Sequence, residues 1–238
     1  MLITTELIVL KAVRYSDTAS IVQTYSRQLG ALSFKVSRPT RRSSVRSRAF
    51  FMPLSLLEVT LDYRPMRDIH LPREVQVVNT LSCVSYSAIG NAVALFCTDL
   101  LSRLLRTETV DEHMYSDIRT LLLKMDGLEE RGLASFHLEM LLTMIHHLGI
   151  SPQTDEYRDG YVLNIHDGTF QQPRSSADLH YRSASHTLYL CLTQSGLYEI
   201  LQSRKMRNEL LNLLISHIAY HYPILGDLRS PKILSELF

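Results

Sequence analysis

Between Lys35 and Arg48 the chain reads K-V-S-R-P-T-R-R-S-S-V-R-S-R, which gathers Lys35, Arg38, Arg41, Arg42, Arg46 and Arg48 in one stretch without an acidic residue. The chemistry open to such a run is phosphate binding. A guanidinium is a planar fork that meets two phosphate oxygens at once and stays charged at any physiological pH. The interleaved Ser, Thr and Pro leave no apolar face, so the stretch predicts a mobile loop and not a helix or a core strand. The competing reading is a solvated basic loop with no ligand. Lys11, Arg14 and Arg27 precede the run. Arg204, Lys205 and Arg207 form a second, smaller cluster, for which a solvated helix face is the favoured reading over a functional one.

Other reactive residues assemble less. His217 and His221 stand four apart on an expected helix, the spacing that lets two imidazoles meet one metal, but no third ligand accompanies them and a capping or packing role is expected. His146 and His147 lie near the end of another helix, where positive charge suits the dipole. Cys83, Cys97 and Cys191 are odd in number and far apart, and the first two sit in apolar helical surroundings, so no disulfide framework or metal site is expected. Gln194-Ser195-Gly196 lacks the leading glycine of a nucleophile elbow, and the chain has no P-loop, glycine-rich dinucleotide fingerprint or H-E-x-x-H. These residues point to a binding protein without a cofactor. An enzyme whose active site is assembled from scattered residues is the alternative.

The total of 25 basic and 24 acidic side chains hides a segregation of charge. Met1 to Val75 carries twelve Lys and Arg against six Asp and Glu, a net of +6, and the rest carries thirteen against eighteen, a net of −5. Two units with different partners would produce that asymmetry. A length of 238 residues fits one large or two small domains, and 45% hydrophobic residues suffice for real cores. The start, M-L-I-T-T-E-L, has no basic region leading into an apolar one, and no window approaches the ~18 apolar residues of a membrane span. A reducing cytoplasm is the expected location.

The elements that must position the basic run are strands. Leu2 to Tyr15, Ser20 to Tyr25 and Ala31 to Val36 are β-rich or alternate with period two, with Gly30 at a turn; the runs Phe50 to Leu61 and Met66 to Leu71 complete five strands, hence a small barrel. Tyr15, Tyr25 and Phe34 are the candidate platforms for base stacking; Phe34 shares a face with Leu32 and Val36, which favours a place inside the barrel over stacking, whereas Lys35 points outward. Tyr15 and Tyr25 lie near the turns that frame the cations; Tyr25 shares a face with Ile21 and either packs there or stacks on a base. After Asn79 the period becomes helical: Val93, Phe96, Leu100 and Leu104; Met114 to Met125; Leu133, Phe136, Met140, Met144 and Leu148, stopped by Gly149 and Pro152; and Asn208 to Tyr222 with Leu210, Leu211, Leu214 and Ile218 inward. Tyr161 to Phe170, with Asp167-Gly168 in its turn, predicts a β-hairpin.

In order and spacing, several of these segments resemble the RecO family of bacterial recombination mediators. They are I-V-L-K-A-V-R-Y-S-D-T-A-S-I-V-Q-T-Y-S, the Leu29-Gly30 turn, the basic run, R-A-F-F-M-P-L-S-L-L-E-V, D-L-L-S-R-L-L and F-H-L-E-M-L-L-T-M-I-H-H-L-G-I-S-P. The resemblance implies an α+β chain: an N-terminal OB-fold β-barrel for nucleic acid, 1–78, then a mainly helical domain, 79–238. Many members insert a four-cysteine zinc site after the position of Pro152. Gln153 to Arg174 contains no cysteine here, so a metal-free variant is expected, with the hairpin near 161–170 in its place. The resemblance further implies binding of single- and double-stranded DNA, strand annealing, and help in loading recombinase onto DNA coated by single-strand binding protein. RecR and the acidic C-terminal tail of single-strand binding protein are the implied partners. Lys11, Arg14, Arg27, Lys35, Arg38, Arg41, Arg42, Arg46 and Arg48 are the candidate DNA ligands. For the tail, Phe96, Leu100 and Leu104, with the helix from Phe136 to Leu148, would supply an apolar pocket and Arg103, Arg106 and Arg119 a cationic rim, unless these residues only pack or solvate. The alternatives for the whole chain are an RNA-binding OB module and a nucleic-acid-processing enzyme.

Overall fold

The computed structural model describes residues 1–37, 50–105, 110–226, 228, 230, 231 and 234. The chain forms two compact units, Met1–Gly127 and Leu128–Phe238. The division therefore follows Gly127, and the helices just after residue 78 belong to the same compact unit as the strands.

Five antiparallel strands open the first unit: β1 (Leu2–Arg14), β2 (Ala19–Ser26), β3 (Gly30–Ser37), β4 (Leu56–Asp62) and β5 (Pro72–Asn79), in the order β3-β2-β1-β4-β5. Period-two alternation sends Leu7, Val9, Val22, Leu32, Phe34, Leu57, Val59 and Leu61 into a single core. His70, just ahead of β5, closes the edges. Its N–H donates to Ser33 O and its carbonyl accepts from Lys35 N, both at 2.9 Å, so β3 meets the lead-in to β5 in parallel and the sheet wraps into the barrel of an OB-fold.

Two strand assignments need correction. Met66 to Leu71 is a loop, with Met66 96% exposed, and the fifth strand lies at Pro72–Asn79. Proline is tolerated there as the first residue of an edge strand. Phe50 to Ser55 likewise precedes β4. Leu54, fully buried at φ 64°, holds a backbone conformation that side chains disfavour. Hydrogen bonds to Val9 on both sides of it hold that turn: Leu54 N to Val9 O at 2.8 Å and Val9 N to Ser55 O at 2.9 Å.

Three helices complete this unit: α1 (Ser82–Tyr86), α2 (Ala88–Leu104) and α3 (Glu112–Asp126). Ser87 caps α2 by accepting the Gly90 N–H at 3.1 Å, and Asp111 caps α3 by accepting that of Met114 at 2.9 Å. Gly90 is required by packing, because a Cβ there would lie 2.4 Å from the Cys83 carbonyl oxygen. Helix α3 covers part of the barrel's outer face. Tyr25 is wholly buried, its ring 6.3 Å from that of Tyr115 and its hydroxyl 4.0 Å from Met114 Sδ. Beside them Glu6 accepts from the Tyr115 hydroxyl (3.0 Å) and from Arg119 Nε (2.7 Å). Burial first, and then the Glu6 carboxylate, push the Tyr115 phenol well above its ordinary range.

The second unit contains α4 (Glu130–His147), the hairpin β6 (Val162–Leu163) and β7 (Phe170–Gln171), α5 (Ser176–Leu179), α6 (Arg182–Thr193), α7 (Leu197–Ile200), α8 (Arg204–His221) and a short 3-10 turn, Pro223–Leu225. Its core joins Leu133, Phe136, Met140 and Met144 of α4 to Leu210, Leu211, Leu214 and Ile218 of α8. Helix α4 stops as expected: Gly149 takes φ 70°, and Ile150 N returns to Ile145 O at 3.1 Å. The hairpin is present. Asp167 accepts from the Thr169 N–H (3.0 Å) and hydroxyl (2.7 Å) in its turn, and those bonds hold its carboxyl below the usual carboxylate range.

Among the described residues no helix is long and apolar enough to cross a membrane.

Candidate nucleic-acid interface

Cross-strand register decides which side chains share the outer face of the barrel. Lys11 pairs with Gln23 and Gln23 with Ser33; Val13 pairs with Ile21 and Ile21 with Lys35. Because side chains alternate along each strand, these two rows lie side by side on one face. The same face continues on β2 to Tyr25, where α3 covers it. Half of the surface is therefore sealed by helix, and half is open.

The open half has the chemistry of a strand-binding platform. Lys11 and Lys35 are exposed and carry no ion pair among the described residues. Lys35 Nζ lies 5.3 Å from the ring centroid of Tyr15, which is 62% exposed in the β1–β2 turn. A cation over an exposed ring offers a base a stacking surface and its phosphate a charge in the same place. Val13 and Ile21 add apolar surface between the lysines. β3 then ends at Ser37, so the basic run begins where the Lys35 row stops.

A cleft of about 750 Å³ adjoins these rows. Lys11, Gln23 and Ser33 form one wall, the loop bearing Tyr63 and Arg67 a second, and Ser102 and Arg103 at the end of α2 a third; Asp68 and Asp99 also reach it. The loop is held by the stacking of Tyr63 on His70, centroids 5.1 Å apart and planes 10° apart.

The other candidate residues fall into distinct places. Arg14 is exposed and ion-paired with Asp17 across the β1–β2 turn, and Arg27 donates from Nε to Glu112 Oε1 at 2.8 Å. Both pairs are solvent-exposed and of the kind worth at most about 1 kcal/mol, so a phosphate can compete for these guanidinium groups. Arg38, Arg41, Arg42, Arg46 and Arg48 lie outside the described residues, as does Arg106. Tyr25 and Phe34 are both buried and present no ring to a base. Tyr63, Arg67, Gln23 and Ser33 were not singled out by sequence; the Pro65 and Pro72 that bracket the loop were its only visible mark.

The expected peptide pocket needs correction. Phe96 and Leu100 are fully buried and Leu104 nearly so, and Phe136, Met140 and Met144 are core residues of the second unit. None of them offers surface to a partner. Arg103 pairs with Asp99 one helical turn away at 3.0 Å, and Arg119 with Glu6. The bond to Glu6 raises the Arg119 pKa and ties that guanidinium to the barrel.

The histidine pair of α8 binds protein. His217 Nδ1 and Nε2 face the carbonyls of Ile165 (3.1 Å) and Ile150 (2.8 Å), and His221 Nε2 faces Ile165 O at 3.1 Å. Among the described residues no group of three or more His, Cys, Asp or Glu is placed to hold a metal ion. The cysteine thiols are likewise buried or partly buried, and burial pushes that of Cys83 up to about 11 and that of Cys191 up to about 12.

Comparison with known proteins agrees with the barrel and extends over the whole chain. Residues 1–81 match the family described as Recombination protein O N terminal. The chain is 30% identical over 234 residues to the DNA repair protein RecO of Phocaeicola vulgatus, covering 97% of each. It is 28% identical over 249 residues to that of Porphyromonas gingivalis and 24% identical over 241 residues to that of Flavobacterium psychrophilum, covering all of both chains in each case. A platform of lysines and an exposed tyrosine on an OB barrel, with relatives along the entire length, leads to one conclusion: the chain belongs to the RecO family of DNA repair proteins.

Proposed function

We propose that this protein is a recombination mediator that binds single- and double-stranded DNA on the open face of its barrel and on the adjoining basic run. It promotes annealing of complementary strands and assists loading of recombinase onto DNA coated by single-strand binding protein. The observation that carries the reading is that Lys11, Lys35 and Tyr15 share one face of the barrel, and that in sequence the arginines come directly after the Ser37 that ends its third strand. Annealing needs no covalent step. A cationic surface that neutralises two phosphate backbones lowers their repulsion and raises the frequency with which complementary bases meet. On this reading the protein acts in the cytoplasm by binding and not by catalysis. Residues 1–78 carry most of the DNA contact, while RecR and the tail of single-strand binding protein dock on the helical part, 79–238.

The test is fluorescence anisotropy with a labelled oligothymidylate on wild type and on a Tyr15→Ala, Lys35→Ala double variant. Loss of one stacking surface, worth about 1 to 3 kcal/mol, and of one cation should weaken binding by about tenfold or more while the melting temperature holds. Unaltered affinity would remove the platform from the DNA path. Tighter binding to RNA than to DNA of the same sequence would favour an RNA-binding module instead.

A further inference from the structure

The cleft beside the open barrel face carries both signs of charge. Lys11 and Arg67 line it, and neither has an ion pair among the described residues. Asp68 lines it too, exposed and equally unpaired, while Asp99 is held by Arg103 at 3.0 Å. A surface built for phosphate alone would carry no free carboxylate, because both groups accept hydrogen bonds and their like charges repel. What suits this cavity is a group that donates to Asp68 and also accepts from the cations. The edge of a nucleobase does both.

The fold holds these groups in place. The loop that bears Arg67 and Asp68 opens on a turn with Pro65 in its second position, where Arg67 N donates to Arg64 O at 3.0 Å. His70 secures the loop's far end: its Nε2 lies 3.2 Å from Arg64 O, and its ring stacks on Tyr63. On β1, a bulge at Leu10 shifts the register between Val9 and Lys11, so that Lys11 pairs with Gln23 and both line the cleft. At about 750 Å³ the cavity has the size of a small-molecule pocket.

We propose that this cleft receives one unstacked base of the bound strand and prefers guanine, an inference that rests on the DNA-binding function proposed above. Guanine alone presents two parallel donors, N1–H and N2–H, to the two oxygens of one carboxylate, while its O6 and N7 accept from a cation. Adenine and cytosine set a ring acceptor beside their amino group, which an Asp68 oxygen repels, and thymine has a single N3–H between two carbonyls. In a duplex that edge is engaged by the partner strand, so this contact is open to unpaired strands only.

The experiment is fluorescence anisotropy of the full-length protein with four labelled oligothymidylates of about ten residues, a length that limits the number of binding registers. They differ at one central position, which is dT, dG, deoxyinosine or dA. Wild type should bind the dG strand about tenfold more tightly than the dT strand, the discrimination of one bidentate base contact. Deoxyinosine, which lacks only the N2 amino group, should fall between them. Asp68→Asn replaces one acceptor oxygen by a donor amide. It should bind the dT strand more tightly, since a negative charge has left the DNA path, and bring the ratio of dG to dT affinity close to one. Its melting temperature should hold, because Asp68 is exposed and its carboxylate makes no hydrogen bond among the described residues. Equal binding of all four strands by wild type, or a dG preference that survives in Asp68→Asn, overturns the pocket and leaves the DNA interface standing. No binding of any strand overturns the interface and the pocket with it. The Tyr15→Ala, Lys35→Ala variant should weaken all four strands and keep the dG preference, so failure of the platform and failure of the pocket give different results.

Discussion

Lys35 and Arg207 show how surroundings decide what a cation does. Lys35 stands over an exposed ring in water, so its charge is available at little cost; Arg207 is held under protein, where burial opposes its charge and the carbonyls of Leu201 and Gln202 accept from it. His137 on α4 reports on the same buried region. Burial, and after it the charge of Arg207, push its imidazole down to about 3. The folded chain therefore keeps it neutral, while the unfolded chain protonates it below its ordinary value of 6.5. Its contribution is complete above that value and is lost as pH falls toward 3, at about 1.4 kcal/mol per unit once well below 6.5. Comparing urea unfolding at pH 6.5 and pH 5, wild type should lose about 1 to 2 kcal/mol more than His137→Asn, which lacks the titrating group. Parallel losses in the two proteins would mean that the fold admits the proton. Sequence could not disclose His137, because its position on α4 is one that an apolar residue would occupy and only the packing shows that it is sealed.

At the scale of elements, the hairpin β6–β7 is secured by side chains. His217 and His221 meet the carbonyls of Ile150 and Ile165, the Ser185 hydroxyl accepts the Leu163 N–H at 2.9 Å, and Tyr157 stacks on Tyr189 with centroids 3.8 Å apart. Because carbonyls only accept, His217 donates from at least one ring nitrogen. His217→Ala should therefore leave a buried carbonyl unpaired and open a cavity, costing about 2 to 4 kcal/mol in urea unfolding. His221→Ala should cost less, since His217 still faces Ile165. A chelator should leave the wild-type melting curve in place, and elemental analysis should find zinc well below one per chain; stoichiometric zinc whose removal unfolds the protein would show that the hairpin is not self-supporting. The turn at Asp167-Gly168 was legible because its chemistry is local. The four-residue spacing of the histidines was legible too, but not their partners, which come from loops more than fifty residues earlier. Met66 to Leu71 mimics a strand because its apolar residues suggest burial, whereas the alternation of Val75 and Val77 with Glu74 and Gln76 marks the true strand. The cleft wall at Tyr63 and Arg67 is hidden from sequence for the same reason, since a loop can only be recognised once the strands beside it are placed.

For the molecule as a whole, the near-neutral total conceals a cationic N-terminal stretch, net +6 from Met1 to Val75, joined to an acidic remainder, net −5. On the proposed function, an acidic remainder would repel nucleic acid and so confine strands to the barrel and the basic run. Salt dependence measures how many phosphates that surface neutralises. Four contacts from the basic run to a single strand would give a slope of log K against log salt of about −3, from roughly 0.7 per contact. Replacing Arg38, Arg41, Arg42 and Arg46 together by Ala should flatten the slope toward the small value left by Lys11 and Lys35. The melting temperature should hold, because the Ser, Thr and Pro between these arginines leave the run no apolar face to bury. The variant should also anneal complementary strands more slowly, and in proportion to the lost slope, if annealing works by neutralising two backbones at once. A slope that stays near the wild-type value would move the phosphate contacts off the basic run and onto the barrel face, and the N-terminal excess of charge would then need another partner.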